Sequence, residues 1–277
     1  MRVLLLNPPL IDGKRFIREG RCTQEEGAWA TLWPPISLAY IGAVLEQAGH
    51  NILILDSPTE VDLKAKVSSF LPQIAIWSSA TPTIESDLAL SDFFKNHNLY
   101  TATFGTHVSA LTQDCMEKYA NLDFVIRGEP EYTVRDLVEA IEQNKELGAV
   151  FGLSYRDGTG IIKHNSDREF ISNLDELPFP AWHLLDNLNY FLPVKGQRFV
   201  MVLPTRGCPY GCSFCTSRTY YGQFLRKRSI ASVLNEIIYI KDTFKIRDFF
   251  FWAETFTLDG EYVKGLCRAL IDSKINI

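Results

Sequence analysis

No stretch of this chain approaches the ~20 consecutive apolar residues that a membrane-spanning helix needs. The opening apolar run, Val3 to Leu6, is too short for a signal peptide. These absences predict a cytoplasmic protein with no membrane span. The run is broken by Asn7-Pro8-Pro9 and no G-x-G-x-x-G follows it, which excludes the dinucleotide fingerprint. No G-x4-G-K-[ST] phosphate loop occurs either, and Gly158-Thr159-Gly160 reads as a hairpin turn between Leu153 to Arg156 and Ile161 to His164. Charge of one sign is not concentrated: 28 Lys and Arg are interspersed with 33 Asp and Glu for a net charge of -5, which argues against a nucleic-acid surface. One segment, Arg218 to Arg228, is locally basic and reads as a solvated face or a contact for an anionic ligand. Cysteine is scarce, six in 277 residues. Cys22, Cys115 and Cys267 are scattered, as expected of idle thiols in a reducing compartment.

The other three cysteines are not scattered. They stand in Arg206-Gly207-Cys208-Pro209-Tyr210-Gly211-Cys212-Ser213-Phe214-Cys215, a C-x3-C-x2-C spacing with glycines at 207 and 211 that let the backbone curl. Three thiolates on one loop suit an iron-sulfur cluster with one iron left open to a small molecule. The alternative is a structural zinc loop, but such sites are closed by four ligands and no second C-x2-C pair is present.

Before this loop, short apolar runs alternate with amphipathic stretches, the pattern of a doubly wound parallel α/β sheet. Strands are predicted at Val3 to Leu6, Ile52 to Leu55, Ile74 to Trp77, Thr101 to Phe104 and Phe124 to Ile126, with Ser37 as N-cap of the first helix and Gly49 as its stop. The connection before that helix, with Trp29, Trp33 and Pro34-Pro35, is longer than usual, and loops of that length tend to be functional. Informative residues follow the strands: Pro9 after the first, Ser79, Thr81, Pro82 and Thr83 after the third, Gly105, His107, Val108 and Ser109 after the fourth, Gly128 and Glu129 after the fifth. The carboxyl ends of an open parallel sheet form the crevice where ligands bind. Ser79, Thr81 and Thr83 read equally well as turn and cap residues, and a lone histidine such as His107 or His50 as a hydrogen-bonding or helix-end residue.

Leu174 to Trp182, rich in proline and apolar side chains, reads as a tethered connector. A strand at Phe199 to Leu203 then delivers the chain into the cysteine loop. A helix capped by Ser229, a strand at Phe249 to Trp252 and a helix at Glu261 to Ile271 complete a βαβα pattern, the opening of a parallel barrel. The cysteine loop and Ala253-Glu254-Thr255 thus share the carboxyl end of one sheet. Three regions result: 1–147, a Rossmann-like domain; 148–195, a connector with the hairpin; and 196–277, the first part of a barrel.

The cysteine motif, with Phe214 before the last cysteine, resembles the signature of the radical S-adenosylmethionine (SAM) enzymes. That resemblance implies a [4Fe-4S] cluster on Cys208, Cys212 and Cys215, whose open iron binds SAM for reductive cleavage to a 5'-deoxyadenosyl radical. It also implies that Phe214 and Glu254 border SAM, Glu254 facing its amino group, and that an external donor such as flavodoxin or ferredoxin supplies the electron. Pro34 to Ala39 with Gly49-His50, Ser79 to Thr83, Gly105 to Ser109 and Arg127-Gly128-Glu129 together resemble the cobalamin-binding domain of B12-dependent radical SAM proteins. No D-x-H-x-x-G follows the first strand, so the resemblance implies cobalamin bound base-off without a histidine ligand. The implied activity is methyl transfer, radical cyclisation or oxidation on a small molecule that the sequence does not name. The alternatives are a corrinoid-binding module with an inactive barrel and a zinc-stabilised interaction protein. Relatives of this kind have about six βα units in the barrel; two are read here, so the chain is expected to be a fragment or to be completed by another chain.

Overall fold

The computed structural model describes residues 1–19, 24–25, 32–185, 190–192 and 195–277; Cys22 and Trp29 lie outside them. The first five strands of the main sheet are β1 (Arg2–Asn7), β2 (Asn51–Asp56), β3 (Ile74–Ser78), β4 (Tyr100–Phe104) and β5 (Phe124–Ile126). They pair in parallel in the order β2-β1-β3-β4-β5, the flavodoxin-like doubly wound arrangement. The apolar runs of β1 and β3 have their cause in burial on both faces: Val3 to Leu6 and Ile74 to Trp77 are fully buried. Helices α2 (Glu60–Phe70), α3 (Ile84–Lys95) and α5 (Thr112–Lys118) cover one face; α1 (Ile36–Gln47) and α6 (Glu131–Glu142) cover the other.

Two further strands, β6 (Leu153–Arg156) and β7 (Ile162–His164), form the expected hairpin. It does not stand alone between the domains. β6 pairs antiparallel with β5, so the hairpin covers the edge of β5 and extends the first sheet to seven strands. The physical reason is the cost of an exposed strand edge.

The second unit contains β8 (Phe199–Val202), the short ladder β9 (Thr205–Arg206) with β10 (Arg226–Lys227), helix α7 (Ser217–Tyr220), α8 (Ile230–Phe244), β11 (Asp248–Phe251) and α9 (Gly260–Asp272). β8 and β11 are parallel, joined by α8 as a right-sized crossover. Ser229 caps α8 by accepting from the Ser232 amide at 3.1 Å, as expected from the sequence. Ser37 does not cap α1. The helix begins one residue earlier, after Pro35, whose fixed φ suits a helix start.

One hydrophobic core runs from the α1/α6 face of the first sheet through Leu174, Leu177 and Trp182 of the connector to Phe199–Leu203, Ile237 and Leu266. The barrel opening is therefore packed on the first domain rather than tethered beside it. Trp33, from the loop before α1, reaches across to Phe250 and Trp252 with ring centroids 5.2 and 4.7 Å apart. No helix of the described residues is long and apolar enough to cross a membrane.

Candidate cofactor site between the two units

The cysteine loop leaves β9 at a backbone position that only glycine tolerates. Gly207 has φ +84°, and a Cβ there would lie 2.2 Å from the Phe224 carbonyl oxygen and 2.9 Å from that of Tyr221. Gly211 has an ordinary φ, and a Cβ would find only Arg218 at 3.6 Å. One glycine is thus required by geometry and the other is not. The Gly207 amide donates to Glu254 Oε2 at 3.2 Å, and the Cys208 amide to the Gly222 carbonyl at 3.3 Å. Cys208 is buried, Cys215 half-buried and Cys212 exposed. Among the described residues, no three His, Cys, Asp or Glu side chains are gathered closely enough to hold a metal ion. Thiolates repel one another, and the binding free energy of the metal is what draws them together. The fit is therefore judged by donor chemistry. Three sulfur donors stand on one ten-residue loop, with Phe214 beside the last of them almost fully exposed at 87%. An all-thiolate set of three suits an iron-sulfur cluster.

Glu254 follows β11 and is buried. Its carboxylate reaches the residue before Cys208, so the carboxyl ends of β8 and β11 do converge at the cysteine loop.

Facing this loop, the carboxyl edge of the first sheet lines a cavity of about 330 Å3. Ser79, Thr81, Pro82, Gly105 and Thr106 form its first-domain wall, and Thr216 and Tyr220, just beyond Cys215, form the opposite wall. Helix α4 (Thr106–Ala110) packs on α7, which closes one side. Gly105 is again a position for glycine alone: φ is +140°, and a Cβ would sit 2.2 Å from the Ser79 carbonyl oxygen. Ser79 itself donates through Oγ to the Phe104 carbonyl at 3.1 Å.

Several residues expected at this cleft are directed elsewhere. Val108 is fully buried in a separate apolar cluster on the α2/α3/α5 face of the sheet, together with Leu88 and Met116. Thr83 does not cap α3; its hydroxyl donates to Asp87 at 2.6 Å, within a buried cluster where Arg18 pairs with Asp87 at 2.7 Å. Pro9 lines a separate, apolar groove of about 550 Å3 beside α2 and α3. Ser109 acts through the backbone, donating to the Gly105 carbonyl at 2.7 Å and accepting from the Gly128 amide at 3.1 Å. Gly128, at φ +71°, turns the chain into Glu129, whose carboxylate is taken by Arg206 at 3.2 Å, Arg226 at 2.8 Å and the Ile171 amide at 2.8 Å. Glu129 is thus committed to ion pairs, not presented to a ligand. His107 Nδ1 stands 3.1 Å from Thr81 Oγ1, and burial holds its pKa below the usual imidazole value, favouring the neutral ring.

Sequence reasoning overlooked Arg18 and Glu19, which line the cavity from the long loop after β1. Glu19 is buried, accepts from Ser37 N at 3.1 Å and Oγ at 2.8 Å, and is pushed up to about 7 by loss of solvent. The locally basic segment, expected to be a solvated face or a contact for an anionic ligand, is exposed at Arg218 and Lys227 but not throughout. Arg226 pairs with Glu129, and Arg228 forms a buried pair with Glu236.

The B12 binding domain family matches residues 28–138. An uncharacterized methyltransferase of Pyrococcus horikoshii is 29% identical over 94% of this chain and 54% of its own length. The anaerobic magnesium-protoporphyrin IX monomethyl ester cyclase of Synechocystis sp. is 28% identical over 100% and 54% respectively. The chain spans about half the length of these curated relatives. Among solved structures, the cobalamin-dependent S-adenosylmethionine radical enzyme OxsB, with aqua-cobalamin and S-adenosylmethionine bound, superposes with a TM-score of 0.77 at 20% identity, over 99% of this chain and 37% of that one. The radical S-adenosylmethionine methyltransferase TsrM of Kitasatospora setae gives 0.71 at 16% identity, over 99% and 51%. The chain thus carries a flavodoxin-like sheet that matches the B12 binding domain and a C-x3-C-x2-C loop at the head of a parallel βα unit, and its fold is similar to that of cobalamin-dependent radical SAM enzymes.

Proposed function

We propose that this chain binds cobalamin and a [4Fe-4S] cluster at one site between its two units and serves a SAM-dependent radical reaction, methyl transfer or cyclisation, on a small-molecule substrate. The observation that carries the reading is the shared cavity, one wall of which is the carboxyl edge of the B12 binding domain and the other the segment directly after Cys215. Cys208, Cys212 and Cys215 would hold the cluster, which supplies the electron for reductive cleavage of SAM when bound. Gly207, forced into a left-handed turn, starts the loop, and Glu254 fixes that turn by accepting its amide. The buried Glu254 carboxylate at the head of the cysteine loop is placed to favour an ammonium group nearby. On the corrin side, Gly105 keeps the sheet edge flat enough for close approach, while Ser79, Thr81 and Thr106 offer short polar groups to amide side chains. Helix α4 lies against α7 on one side of the cavity, where restricted access of bulk water would protect a reactive radical from quenching.

The test is SAM cleavage by anaerobically reconstituted protein under a low-potential reductant. The reading expects 5'-deoxyadenosine from the wild type and none from Cys208→Ala, Cys212→Ala or Cys215→Ala. Equal product from wild type and all three variants would refute it.

A further inference from the structure

Cys208 is the buried cysteine of the three, and the chain just before it is anchored in the other domain. Arg206, two residues before it, is 2% exposed. Its guanidinium pairs with Glu129 in the turn after β5 at 3.2 Å and with Glu131, the first residue of α6, at 2.6 Å, and lies over the rings of Tyr40 and Tyr221 at 5.0 and 5.2 Å. Arg226, opposite Arg206 in the β9–β10 ladder, holds the second oxygen of Glu129 at 2.8 Å. A forked cation gripped by two carboxylates and flanked by two rings has one orientation. The chain of bonds continues to the cavity: Gly128 next to Glu129 is held by Ser109, and Ser109 by the carbonyl of Gly105 on the cavity wall. At the other end, Gly207 and Cys208 follow Arg206 directly, with their own amides fixed by Glu254 and Gly222.

We propose that Arg206 is a positioning residue: through Glu129 and Glu131 it sets the distance between the cysteine loop and the carboxyl edge of the first sheet, and so the separation of cluster and cobalt. This rests on the proposed joint site. A bare hydrophobic contact between the units would hold them together but would not fix a register. An ion network of this geometry breaks if either partner changes shape.

The full chain is reconstituted anaerobically with iron, sulfide and hydroxocobalamin, then reduced until both the cluster and the cob(II)alamin signals are present in electron paramagnetic resonance. In the wild type, the nearby reduced cluster should speed relaxation of the cob(II)alamin signal, read as saturation at higher microwave power than in protein loaded with corrinoid alone. Arg206→Lys keeps the charge but not the fork, and Glu129→Gln keeps the shape but not the charge. Both should retain wild-type iron and cobalt yet lose most of that shift. Retention of the full shift in both variants would overturn the inference while leaving the joint site intact. Loss of iron from both, in place of the shift, would also overturn it, because the network would then hold the loop's fold rather than its spacing. A wild type that takes up both cofactors without faster relaxation, or takes up neither, refutes the proposed joint site and the inference with it.

Discussion

Replacing Gly207 by alanine separates two kinds of glycine in the same loop. At φ +84° an alanine gives up about 1–3 kcal/mol to backbone strain. The added methyl would also lie 2.2 Å from one backbone carbonyl oxygen and 2.9 Å from another, neither of which is the end of a flexible side chain. Relief requires the β9–β10 ladder to open, at a further cost of roughly 1–3 kcal/mol, as for an overpacked core. The total is on the order of 2–6 kcal/mol, which for a urea slope of ~1–3 kcal/mol/M lowers the unfolding midpoint by about 1 M or more. The turn also presents Cys208, so iron uptake on reconstitution should fall together with the midpoint. Gly211→Ala is the control, since a Cβ there meets only Arg218 at 3.6 Å. Urea titration followed by circular dichroism, with iron and acid-labile sulfide measured on the same preparations, decides the matter. If Gly207→Ala matches Gly211→Ala in both midpoint and iron content, the argument from turn geometry is wrong.

Gly105→Ala should abolish corrinoid uptake with little change in iron content, because its Cβ would press on the Ser79 carbonyl at the cavity wall and the cysteine loop lies across the cavity; cobalt and iron analysis of one sample checks it. Glu19 ionises near its ordinary 4.5 in the unfolded chain and near 7 when folded, so its contribution to stability is full below the first value and lost as pH rises through the second. Glu19→Gln should therefore flatten the pH dependence of the urea midpoint, matching the wild type near pH 4.5 and exceeding it above pH 7 by on the order of 3 kcal/mol. A variant no more stable than wild type at the higher pH would remove the buried-carboxyl account.

The architecture was legible because the central parallel strands are buried on both faces and most read as unbroken apolar runs. Val3 to Leu6, Ile74 to Trp77 and Phe124 to Ile126 are such runs, and their flanking loops marked the sheet's carboxyl edge. The cysteine loop was legible for another reason: thiolate ligation depends on spacing along the chain. What escaped were relations between distant segments. Glu129 sits at the right edge, yet its carboxylate is drawn 77 residues down the chain to Arg206, a pairing that no local pattern encodes. The available signal was charge complementarity, two glutamates at 129 and 131 against a basic run that includes Arg226 and Arg228. Val108 and Thr83 were misassigned because a loop position says nothing about which way a short helix turns. The hairpin's place on the sheet edge likewise follows from pairing with β5, which only the fold reveals.

The central claim is that one chain holds a cluster and a corrinoid together. The most direct test is the metal content of the chain after anaerobic reconstitution with iron, sulfide and hydroxocobalamin and removal of unbound cofactor. The account predicts about four iron and about one cobalt per chain, the iron lost on Cys208→Ala and the cobalt kept. Zinc in place of iron, or neither iron nor cobalt retained, would contradict it.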